Sequence, residues 1–136
     1  MKKNQIATVT INDRGVHVHY RAYYRPEANG MFTWFIPGFD IYYSSRDKES
    51  GANKSLNLTK SWLSFYERQS KLSELMLDLR KMGFEASDGN TDYKIMKAIK
   101  GERPKQIKFR VANYNTPERF KDSEVMEMEN QFAIAS

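Results

Sequence analysis

The sequence predicts an α+β domain: a small, mostly antiparallel sheet (a three-stranded meander plus a late strand) packed on one long helix. Three features carry that expectation. Residues 7–25 alternate apolar and polar side chains across a turn, the mark of half-buried strands. Residues 31–36 are apolar on both parities and are stopped by Pro37 and Gly38. Residues 58–82 then carry large apolar side chains at spacings of four and three, one stripe of a long helix.

In chain order, residues 7–11 read as the first strand. Asn12, Asp13, Arg14 and Gly15 form a turn, with glycine free to take positive φ. On the second strand Val16, Val18, Tyr20, Ala22 and Tyr24 share one face, while His17, His19, Arg21, Tyr23 and Arg25 share the other. Residues 31–36 form a central third strand, which residues 40–44 continue at a new angle. Residues 45–55 read as a polar loop. The helix over 58–82 takes Asn57 as its N-cap and Leu56 as a hydrophobic staple. Its stripe of Leu58, Trp62, Phe65, Gln69, Leu72, Met76 and Leu79 is expected to face the sheet, with Trp62, Phe65, Leu72 and Leu79 buried. Arg80 and Lys81 suit its C-terminus, and Gly83 followed by Phe84 suits a left-handed Schellman closure. A short helix follows over 93–100, stopped by Gly101. The late strand, 106–114, turns Ile107, Phe109 and Val111 inward and Lys108 and Arg110 outward. Residues 1–121 make one domain. Residues 122–136 make an acidic tail, read either as an edge strand or as disordered.

Composition narrows the function classes. A chain of 136 residues fits one domain. It has no cysteine, which rules out disulfides and thiol chemistry and makes the cytoplasm the default location. The N-terminus runs into an alternating strand rather than an apolar leader, and no apolar run is long enough to span a bilayer, so no membrane role is expected. The net charge of +5 favours anionic partners, nucleic acid or an acidic protein surface.

The candidate sites are few. His17 and His19 share a strand face, but two imidazoles leave a zinc site incomplete, so no metal and no other cofactor is expected. No serine or threonine has an organised base beside it in sequence, and no carboxylate pair stands in a recognisable context, so the chain reads as no enzyme. Basic residues concentrate over 94–121, opposed there only by Glu102 and Glu118. Within that block Lys105, Lys108 and Arg110 are the candidate phosphate contacts of a nucleic-acid-binding module. The bland alternative is a solvated sheet edge, where lysines discourage aggregation.

The order strand, turn, strand, strand, proline-glycine, polar loop, helix, late strand resembles the HicB-like antitoxin family. The residues that carry the likeness are Phe35, Ile36, Pro37, Gly38, Phe39 and Asp40, with the helix from Leu58 and the late strand from Ile107. The resemblance implies a partial RNase H-type fold with no nuclease activity. It implies a stand-alone binding domain that acts through a protein partner, either toxin-like or a second copy of itself as a homo-oligomer. The nucleic-acid-binding module is the alternative.

Overall fold

The computed structural model describes residues 6–12, 15–66, 71–87, 89, 91–101, 106–111 and 117–133, without the side chains of Arg119 and Phe132. Among these the elements run β1 (Ala7–Asn12), β2 (Gly15–Pro26), β3 (Phe32–Ile36), β4 (Ile41–Ser45), α1 (Lys48–Ser64), α2 (Leu72–Lys81), β5 (Glu85–Ala86), α3 (Thr91–Ile99), β6 (Gln106–Val111), a 3-10 turn (Glu118–Phe120) and β7 (Glu124–Ala133). The strands form one antiparallel seven-stranded sheet with the path β4-β3-β2-β1-β6-β5, and β7 joins at β2.

β2 is the spine. β7 pairs with it without interruption from Gly15↔Ala133 to Tyr24↔Glu124. That occupies one edge of β2. On the other edge β1 pairs with residues 16–20 and β3 with residues 23–26, so β1 and β3 lie end to end. At their junction Gly38, at φ +89°, brings the backbone close enough that an added Cβ would lie 3.3 Å from the Cβ of Ala7. The alternation in β2 works as expected: Val18, Tyr20 and Ala22 are fully buried. With Val9, Ile11, Phe109 and Trp34 they build the inner face, against which Leu72, Leu75, Met76 and Leu79 of α2 pack.

The expected meander on one long helix is overturned. Residues 40–44 do not prolong the third strand; β4 is a separate strand that turns back on β3 with Ile36 opposite Ile41. The expected helix 58–82 is two helices. The polar stretch 45–55 is not a loop, because α1 begins at Lys48. Its N-cap is Asp47, not Asn57: the Asp47 carboxylate accepts the Ser50 N–H at 2.7 Å, and that bond holds its pKa below the usual carboxylate value. α1 stops at Ser64, and Tyr66 folds back so that its hydroxyl donates to Asp78 Oδ2 of α2 at 2.5 Å. In one straight helix these residues, 12 apart in sequence, would be separated by about 18 Å. Phe65, expected in the core, is 60% exposed, with the Lys71 ammonium over its ring. Trp62 is half-buried, edge-on to Phe39. Leu72 and Leu79 are buried as expected. Gln69 lies outside the described residues.

The α1 face that meets the sheet is Gly51, Ser55, Thr59 and Leu63, every fourth residue. Small side chains let the helix backbone approach an aromatic row in which Tyr24 stacks on Trp34 and Trp34 on Tyr43, at 4.7 and 5.6 Å. The polar groups that this buries are all used. Trp34 Nε1 donates to Ser45 Oγ at 2.8 Å, and Ser45 Oγ donates to the Asp47 carbonyl at 2.7 Å. Tyr43 donates to the Gly51 carbonyl at 2.8 Å, and Tyr20 shares a hydrogen bond with Ser55 Oγ at 3.0 Å. Among the described residues no buried side-chain nitrogen or oxygen lacks a partner.

At the end of α2 the closure is as the sequence suggests. Gly83 has φ +98°, its N–H donates to the Arg80 carbonyl at 3.0 Å, and the Phe84 N–H donates to the Leu79 carbonyl at 2.9 Å. The segment read as an acidic tail contains β7, the longest partner of β2.

Candidate interaction surface

Side chains alternate across a sheet, so the pairing registers place each outer-face residue. One row crosses five strands: Glu129, His19, Thr8, Arg110 and Glu85. The next row is Gln131, His17, Thr10 and Lys108. Towards the other end stand Glu127 beside Arg21, then Val125, Tyr23, Phe35 and Tyr42. The Phe35 end is covered: Phe35 is fully buried between Tyr42, at 4.4 Å, and Phe120 of the 3-10 turn, at 5.3 Å. The rest carries polar and charged groups.

The charges on this face are unevenly matched. Glu127 accepts from Arg21 Nε at 3.0 Å and lies 3.2 Å from His19 Nε2, while Glu129 lies 3.9 Å from His17 Nε2. The acids of the last strand thus sit over the basic row of β2. They do not reach β6, where the side chains of Lys108 and Arg110 make no ion pair or hydrogen bond among the described residues. Lys108 is exposed and Arg110 half-buried, two positions apart on one face, as expected. Lys105, the third candidate phosphate contact, lies outside the described residues. His17 and His19 each come within 4 Å of one glutamate, and among the described residues no three histidine or carboxylate side chains group as metal ligands.

The inner face carries hydroxyls that are bonded to α1. Burial raises the pKa values of Tyr20 and Tyr43, so both remain neutral donors committed to α1. No protein-family model, curated protein or solved structure matches the chain.

What distinguishes the molecule is the outer edge of β7. Among the described residues this ten-residue strand pairs only with β2. The direction of its backbone groups follows from β2. The Arg21 N–H donates to Ile6 on the β1 side, so odd-numbered β2 residues point to β1 and even-numbered ones to β7. In β7, therefore, Met126, Met128 and Asn130 bond to β2. Val125, Glu127, Glu129 and Gln131 turn their N–H and C=O groups outward. The strand has no proline, no lysine and no register break to discourage a further strand, and its edge charges are Glu124, Glu127 and Glu129. It is held from within by Asn130, whose Nδ2 donates to the Leu56 carbonyl of α1 at 2.9 Å.

Sequence reasoning offered an edge strand as one reading of residues 122–136 but not its pairing with β2. The length of β2 beyond β1 is no signal for it, because β3 covers that overhang on the β1 side while β7 takes the opposite edge.

Proposed function

We propose that the chain is a non-enzymatic, cytoplasmic binding domain that captures a protein partner by taking a strand from it onto the outer edge of β7. The supporting observation is that edge: a long strand with a continuous set of outward backbone donors and acceptors and one neighbour among the described residues. Main-chain pairing supplies affinity in such complexes, and side chains at alternate positions supply specificity. The HicB-like resemblance would add that the partner is a toxin; strand capture does not depend on it. No described helix is long and apolar enough to cross a membrane.

A second reading has its own observation. Lys108 and Arg110 are two cations on one outer face whose side chains form no ion pair among the described residues, although Glu85 stands opposite Arg110, and they offer a site for phosphates of single-stranded nucleic acid. It predicts affinity falling with salt at a log–log slope of about −0.7 per phosphate contact, and uniform weakening in Lys108→Ala/Arg110→Ala.

One experiment separates the two. The protein is used as bait in an extract of its native cell, with and without nuclease, alongside Gln131→Pro and the Lys108→Ala/Arg110→Ala variant. Proline at 131 removes an outward N–H and no bond to β2, so the fold is expected to survive. Strand capture predicts a nuclease-resistant partner that Gln131→Pro loses and the double variant keeps. A partner lost on nuclease treatment and in the double variant would favour the second reading.

A further inference from the structure

The outward edge of β7 has side chains as well as backbone, and they are chemically sorted. On the outer face stand Glu127 and Glu129, with side chains 52% and 66% exposed. On the inner face stand Met126 and Met128, both half-buried at the margin of the core. Leu56 of α1 lies over this margin, its carbonyl bonded to Asn130. A strand added here would place alternate side chains against carboxylates and against methionines.

A second copy of β7 is a poor fit. Antiparallel pairing about a two-fold axis keeps odd residues opposite odd residues. Centred on Glu127 or Glu129, the pairing sets that glutamate against its own copy. Centred on Met128, which overlaps as far as the register centred on Glu129, it sets Glu127 against Glu129 twice. Like charges directly opposite one another destabilise a sheet. Only registers that shorten the overlap escape this.

We infer that the occupant of the β7 edge is a strand from a different protein, with Lys or Arg at alternate positions facing Glu127 and Glu129 and branched apolar residues between them facing Met126 and Met128. This rests on strand capture as the function and names the chemistry of the captured strand. Arg21 and His19 share Glu127 but leave its carboxylate at the edge, and Glu129, opposite His19, comes within 4 Å of no cationic group but His17 among the described residues. The flexible methionines accept apolar side chains of varied shape.

The test uses end-blocked peptides ten residues long, the length of β7. One alternates Lys or Arg with Val or Ile. A second carries Glu at the basic positions. A third has the composition of the first with its basic and apolar residues in separate blocks. Binding is read by calorimetry and by the amide spectrum of β7. The alternating basic peptide is expected to bind tighter than the acidic one by about tenfold, the scale set by two cross-strand charge pairs changing sign. The blocked peptide should not bind. Glu129→Lys should reduce or invert the preference. The net charge of +5 on the protein works against this order, so the preference can arise only locally. N-methylation of the basic peptide on the edge facing β7 should abolish binding, and on the opposite edge should leave it unchanged; this control needs no folded variant.

Equal binding of both alternating peptides would overturn the charge selection while leaving strand capture standing. Binding by neither would overturn strand capture at β7 as well. Sedimentation showing a dimer that Gln131→Pro converts to monomer would make the occupant a second copy and overturn the inference.

Discussion

Gly51→Ala is expected to destabilise the protein by about 3 kcal/mol, the upper part of the range for overpacking a tight contact. Helix propensity alone predicts the opposite sign, a gain of up to about 1 kcal/mol for replacing glycine within a helix. The reason is contact. A Cβ built on Gly51 would lie 2.2 Å from Trp34 Cε2 and 2.3 Å from Cζ2 and Nε1. These are atoms of a rigid, fully buried ring, stacked on both faces by Tyr24 and Tyr43 and tied by Nε1 to Ser45. The ring cannot give way, so α1 must move, which strains the Tyr43–Gly51 and Tyr20–Ser55 hydrogen bonds. Urea denaturation of the two proteins decides the sign. A variant as stable as the wild type or more so would show that α1 does not sit on Trp34.

Trp34→Ala is expected to cost about 3–5 kcal/mol, from lost transfer energy and the cavity left beneath α1. It also strands the Ser45 hydroxyl as an acceptor, although Ser45 keeps its bond to the Asp47 carbonyl. Because the indole is what the new methyl of Gly51→Ala strikes, the two changes should not add. The double variant should be more stable than the sum of the singles implies, by about 0.5–3 kcal/mol. Strict additivity in this cycle would mean that the two residues do not touch.

The same contact explains how far the sequence could be read. β1, β2 and β6 were legible because their apolar residues alternate and are large: Val9, Val18 and Phe109 are all fully buried. The closure at Gly83 was legible because it is a local rule about φ and a following apolar residue. The start of α1 was illegible because it meets the sheet with Gly51 and Ser55, residues that read as loop, and the face of its later part was misread because small Thr59 meets the sheet while larger Leu58 and Phe65 point away from the fully buried core. Small helix side chains matched to large sheet side chains are a tertiary pairing, and no window on one segment reveals it. The break between α1 and α2 was hidden for a similar reason. The apolar spacing runs on through it, and only the Tyr66–Asp78 hydrogen bond shows the chain doubling back. Of the candidate site, Lys108 and Arg110 were placed by alternation. The β7 edge depends on which strands pair with β2, which periodicity does not contain.

Amide hydrogen exchange along β7, resolved by residue in the free protein, tests the central claim most directly. Even-numbered amides bond to β2, and odd-numbered ones turn to the outer edge, which pairs with no other strand among the described residues. The expected pattern has a period of two: slow exchange at Met126, Met128 and Asn130, and fast exchange at Val125, Glu127, Glu129 and Gln131. The fast set should become protected when a partner strand binds. Slow exchange at every position would mean that the edge is already paired in the free protein. Fast exchange at every position would mean that β7 is not a strand of the sheet. Either result would contradict an open β7 edge as the binding site.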